Sequence, residues 1–127
     1  MAASFKSNDL VRYSVSGIDA KTTGNTTLFT TDAGRVFVPT SVMVYCSAAT
    51  AITVAASISI GTNGATYDNL VAPGILSGLT AAGLFTIPVL TVGGTAATAS
   101  TAVVLNITTA ATGTSQTIEV DVIGFYL

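Results

Sequence analysis

The stretch GRVFVPTSVMVYCSAATAITVAASISIGTNGATYDNL, residues Gly34 to Leu70, decides the fold. It holds the densest run of β-forming residues in the chain, is broken once by Pro39, and closes on a polar, glycine-containing loop. In Thr40 to Ser47, Val42, Val44 and Cys46 share one face and Met43 and Tyr45 the other. Two apolar faces predict a strand covered on both sides, by the core and by something else. Ile52 to Ile60 places Ile52, Val54, Ala56, Ile58 and Ile60 on one face, the cleanest period-two signal in the protein. Pro39 has no N–H to give to a ladder, so it marks an edge, a bulge or a crossing between sheets. These segments are expected to be the central strands of a β-sandwich.

Towards the N-terminus, Thr26 to Thr31 is a short strand, joined to the central stretch by a tight turn at Asp32-Ala33-Gly34. Leu10 to Ser16 alternates Val11, Tyr13 and Val15 with Arg12, Ser14 and Ser16, the pattern of a half-buried strand. Gly17 to Asn25 is read as a polar connection. Residues 1–9 are polar and are expected to form an arm, leaving residues 10–127 as one domain. Towards the C-terminus, Leu70 to Gly83 is apolar but follows neither period. Leu84 to Val92 is a strand compromised at Pro88, Ala102 to Thr109 is another, and Gln116 to Val122 alternates Ile118, Val120 and Val122 with Thr117, Glu119 and Asp121. The alanine-rich pieces Ser47 to Ala51 and Ala96 to Ala99 allow one helical turn each and no more, given their threonine neighbours. The reading is all-β: a single antiparallel β-sandwich, jelly-roll-like, of about eight strands with no substantial helix.

Composition narrows the function. The 127 residues suffice for one domain with a core. Half are apolar, mean hydropathy is +0.71, and only 8% are charged, against roughly 25% in a typical globular domain. The four cations, Lys6, Arg12, Lys21 and Arg35, all precede Val36, and from Val36 to Ile118 the one charge is Asp68. So neutral a surface does little to keep copies apart, which points to a protein covered by neighbours in an assembly. Net charge −2 and four scattered cations argue against nucleic acid as a partner. Leu70 to Val92 is uncharged, but Pro73, Gly74, Gly78, Gly83 and Pro88 interrupt it, so no membrane span is expected. MAASFKSNDL lacks the apolar core of a signal peptide, and the expectation is synthesis in a cytoplasm without export.

No catalytic, cofactor or metal signature emerges. Cys46 has no histidine in the chain to act as its base and reads as a buried small hydrophobe. The loop Gly61 to Asn69 lacks the Gly-Lys-Ser/Thr ending of a phosphate cradle. Asn63, Asp68 and Asn69 could offer oxygens to Ca²⁺, but one carboxylate is a poor start for such a site. Glu119 and Asp121 project to one face. As a glycosidase pair they would need a cleft, so two solvated charges or an intersubunit pairing with Arg12 or Arg35 is the favoured reading. Asn25-Thr26-Thr27 and Asn106-Ile107-Thr108 match the glycosylation pattern as chance occurrences in a threonine-rich chain.

At VFVPTSV, at SIGTN, and at the terminal strand ending GFYL, the chain resembles small β-sandwich proteins of tailed-bacteriophage particles: capsid decoration or cement proteins, head fibres and tail-associated modules. The resemblance runs from about Leu28 to the C-terminus, implies a structural role and often a trimer, and carries no functional residues across. The expectation is a non-enzymatic virion protein at the capsid surface, most concretely a cement protein. It would bridge neighbouring subunits of the major capsid protein as a homotrimer, with Lys6, Arg12, Lys21, Arg35, Glu119 and Asp121 as candidate capsid or subunit contacts. The rivals are a tail-fibre or receptor-binding domain recognising a host-surface glycan, and a small hydrolase using Glu119 and Asp121.

Overall fold

The computed structural model describes residues 10–91 and 96–127. Eight strands form: β1 (Val11–Asp19), β2 (Gly24–Thr30), β3 (Phe37–Thr50), β4 (Ser57–Gly61), β5 (Val71–Ile75), β6 (Phe85–Thr86), β7 (Ala102–Thr109) and β8 (Ser115–Tyr126). They make two four-stranded sheets, ordered β1-β8-β3-β6 and β2-β7-β4-β5, and every pairing is antiparallel. Among the described residues there is no helix.

That order has a simple origin. β1 pairs with β8, β2 with β7, β3 with β6 and β4 with β5, so the chain is one long hairpin whose tip is the segment between Gly61 and Val71. Rolling this ribbon adds two further pairings, β3 with β8 and β4 with β7, and splits it into two layers. The result is an eight-stranded jelly roll, as the strand count and turn spacing led us to expect.

Alternation fills the space between the layers. Phe37, Val42, Val44 and Cys46 of β3 meet Ile118, Val120, Val122 and Tyr126 of β8 on the inner face of the first sheet. Opposite them stand Ile58 and Ile60 of β4 with Val103, Leu105 and Ile107 of β7. At the β1/β2 margin the Tyr13 and Phe29 rings stack at 3.8 Å, joining the sheets, and Phe37 meets both edge-on.

The structure decides one open reading and corrects four others. Of the alternatives at Pro39 it is the bulge that holds: β3 runs through this residue, and a register shift between Pro39 and Ser41 absorbs the missing donor. The alternation from Ile52 to Ile60 is a strand only in its second half. Val54 is half exposed and makes an isolated bridge to Thr112, because this segment is crossing from one sheet to the other. β5 lies inside the supposedly irregular stretch. It is an edge strand, paired on one side with β4, and such a position tolerates Pro73, while its burial shows no alternation to detect. The strand expected over Leu84 to Val92 pairs with β3 only at Phe85 and Thr86. It then crosses at Pro88 and bridges Val71 through Leu90 in the other sheet. We call this crossing segment, residues 84–91, the strap. The connection expected at Gly17 is also shorter, because β1 continues to Asp19 over a bulge eased by Gly17 at φ +71°.

Gly124 sits opposite Val11 and Pro39 at the centre of the first sheet. A Cβ there would overlap the Val38 carbonyl oxygen and lie 2.6 Å from Cζ of Phe37. Backbone cannot yield as a side-chain tip can, so Gly124→Ala is expected to cost about 1–3 kcal/mol through overpacking. A urea unfolding midpoint unchanged from wild type would refute this.

Candidate interaction surfaces

The charged residues are placed by the strands that carry them. On the outer face of the first sheet, Arg12 of β1 lies diagonally across from Asp121 of β8, with its guanidinium 3.0 Å from Asp121 Oδ2 and 3.8 Å from Glu119 Oε1. Glu119 and Asp121 do share a face, as their spacing predicts, but they are not two solvated charges. The Asp121 side chain is 3% exposed, and the ion pair with Arg12 lies within one chain. This corrects the expectation of an intersubunit pairing for Arg12. Its physical basis is the diagonal cross-strand neighbourhood, within easy reach of a long side chain. Asp121 Oδ1 is buried without a hydrogen-bond partner, so the guanidinium is this carboxylate's main compensation.

The other two described cations are also engaged within the chain. Arg35 lies 3.7 Å from Asp32 and 4.7 Å above the Tyr126 ring. Lys21 donates its ammonium to the Gly113 carbonyl oxygen, tying the β1–β2 turn to the β7–β8 turn. Asp19 accepts from the Lys21 N–H at 2.9 Å and the Thr22 hydroxyl at 2.8 Å, and these bonds hold its carboxyl below the usual range. Lys6 and the arm of residues 1–9 lie outside the described residues.

The other candidates resolve to structural roles. Cys46 is fully buried beneath β8. In the loop after β4, Asn63 donates to Asp68 Oδ1 at 2.7 Å and accepts from the Asp68 N–H at 2.9 Å, while Asn69 accepts from the Thr62 N–H at 2.8 Å. These oxygens are spent on the loop itself, which closes the tip of the long hairpin. Among the described residues no group of three His, Cys, Asp or Glu side chains could hold a metal ion, and no helix is long and apolar enough to cross a membrane.

Sequence reasoning missed two features. The first is a buried phenol pair: the Tyr13 and Tyr126 hydroxyls are hydrogen-bonded at 2.5 Å, and Tyr126 accepts from the Asp32 N–H at 3.2 Å. Only the recurrence of tyrosine on the inward positions of the first and last strands hinted at it. The second is the neutral, apolar side of the sandwich where β5 and the strap meet. Ile75, Leu84, Phe85, Ile87 and Val89 are all exposed there, and Val89 reaches 80%. Beside Ile75 and Val89 lies a groove of about 250 Å³, lined also by Ile58, Val71, Thr86 and Pro88. Its sequence signal was the uncharged run of large apolar residues in Leu84 to Val92, read as a strand compromised at Pro88.

The architecture thus belongs to the jelly rolls, with charge collected towards β1 and β8 and a neutral apolar margin at β5 and the strap. No known family model matches the sequence, and no curated protein matches it either. Comparison of structures does find similar chains. One is from the acidic stable capsid structure of Helicobacter pylori bacteriophage KHP30, with a TM-score of 0.58 and 16% identity, covering 94% of this chain and 90% of that one. Another is from the capsid asymmetric unit of cyanophage Pam1, with a TM-score of 0.56 and 16% identity, covering 98% and 90%. The likeness to phage-particle β-sandwiches read from the sequence therefore holds at the level of the fold, over nearly the whole chain.

Two predictions test this description. Arg12→Ala strands Asp121 in its covered position and is expected to cost about 1–3 kcal/mol. Glu119→Gln, at a carboxylate farther from the same Arg12 and itself more exposed, should cost below about 0.5 kcal/mol. Equal losses in urea unfolding would contradict the assignment of Asp121 as the principal partner. The second concerns pH. Burial, and then the hydrogen bond to Tyr126, raise the Tyr13 phenol above its ordinary value. The folded state therefore holds this proton more tightly than the unfolded chain, whose tyrosine titrates near about 10. The stabilisation is complete below that pH and is lost as pH rises above it. Melting temperature should fall above pH 10, and less steeply in Tyr13→Phe; identical slopes for the two proteins would exclude Tyr13 as the source.

Proposed function

We propose that this chain is a non-enzymatic structural protein of a phage virion, a capsid decoration or cement protein acting as a homotrimer at the shell surface. The observation that carries the reading is the jelly roll shared, over at least 94% of the chain, with chains of two phage capsid structures. The mechanism is mechanical. Copies related by symmetry bury neutral β-surface against one another, and the arm with Lys6, together with Arg12, Lys21 and Arg35 where their intrachain bonds leave them exposed, docks on the major capsid protein. Each trimer ties neighbouring subunits together, and weak contacts repeated over a closed shell add through multivalency. A neutral surface suits this role, because close packing of many copies then meets little electrostatic repulsion.

The test is stoichiometry. Purified protein added to particles lacking it should bind saturably, at hundreds of copies per particle, and raise the temperature at which the shells open. A handful of copies would sink the cement reading, and saturable binding to host cells or their polysaccharide would favour a receptor-binding module instead.

A further inference from the structure

We propose that the β5–strap side of the sandwich is the surface through which copies of this chain contact one another, with the groove beside Val89 receiving apolar side chains of a second copy. The inference rests on the homotrimer reading above and deepens it by naming the face that turns toward the symmetry axis.

Three observations support a second copy as the occupant. The first is the sorting of charge. From Val36 to Ile118 the one charged residue is Asp68, whose carboxylate is engaged by Asn63, while the other described charges belong to β1, β8 and the turns after β1 and β2. Two copies meeting through β5 and the strap therefore bring no like charges together, although each is net negative.

The second is complementarity. A partner with ordinary surface, roughly one residue in four charged, would have to strip water from its own charges against a face that offers no counter-charge. This chain, at 8% charged, is a partner for which that cost does not arise.

The third is extent. Ile75 on β5 with Leu84, Phe85, Ile87 and Val89 on the strap together leave roughly 500 Å² in water along this margin, to be set against the ~800 Å² each partner brings to a stable interface. Open backbone adds to this. β5 is the edge of its sheet, and among the described residues its outer side is bridged at Val71 alone, so Ala72 to Ile75 present an edge without a strand partner there.

Charge introduced at side chains that already face water probes the face without touching the core. We would compare wild type, Val89→Glu, Ile87→Asp and, as a control on the opposite edge, Thr27→Glu, by size exclusion with light scattering from low to high micromolar concentration. Circular dichroism and thermal melts would be recorded in parallel. The expected result is a trimer for wild type and Thr27→Glu, and a monomer for the two strap variants, with β-sheet spectra retained. Strap variants that remain trimeric would overturn the assignment. So would a wild type that stays monomeric throughout. Binding to undecorated shells separates the two proposals. A wild-type monomer that decorates shells, with Val89→Glu failing to do so, would mean that a shell subunit covers this face. That result would overturn the self-contact inference while leaving the decoration reading standing.

Discussion

The structure depends on the antiparallel ladder between β3 and β8. It runs from Phe37 opposite Tyr126 to Thr50 opposite Ser115, and its inward residues form half of the core. β8 is also the strand on which β1 rests, so three of the four strands in that sheet are held by hydrogen bonds to β8 or to its partner. The constraint this imposes is local and severe. β8 must be uninterrupted, must present an apolar residue at every second position, and must lack a side chain where the Phe37 ring crosses it. Ile118, Val120, Val122 and Gly124 meet those demands in turn.

Burial on the outer face of the same strand explains the placement of charge. Asp121 stands between Ser14 and Met43, where a carboxylate would be costly alone, and Arg12 supplies the counter-charge from the neighbouring strand. An ion pair of this kind adds little net stability compared with a well-packed apolar pair. Its consequence is positional: in a sheet where almost every outward residue is neutral, it fixes the register of β1, since a slip by one residue would bury the carboxylate without its partner.

Much of the fold was legible because jelly-roll strands advertise themselves by alternation. β1, β2, β7 and β8 were found within a few residues of their ends, since each turns apolar side chains into the core from inward positions that their sequences mark. What escaped has a common physical cause. Residues 52–56 alternate yet cross between sheets, since alternation records which side of a chain is apolar and not whether a neighbour pairs with it. β5 shows no alternation because it is the edge of its sheet, where all its residues after Val71 are exposed, and the strap, read as one strand, divides its bridges between the two sheets. Pro39 left three readings open because its missing donor fits an edge, a bulge or a crossing equally, and only the pairing of β3 with β8 selects the bulge. The individual charges were named correctly as outward residues, but their pairing needed the strand order, which places β1 beside a strand about a hundred positions away. No local pattern encodes that distance.

The nesting of the long hairpin has a consequence for how the chain reaches this state. The tip, β4 to β5, can close early over a short loop, but β1 waits for a partner that is the last of the eight strands to be synthesised. Pairings so distant in sequence make folding slow. Until β8 emerges, the inner faces of β1 and β3 stay uncovered on a nascent chain with few charges to repel its neighbours, and such a chain is prone to aggregate. The scarcity of charge thus leaves the half-made ribbon open to association with its neighbours until its last strand is available.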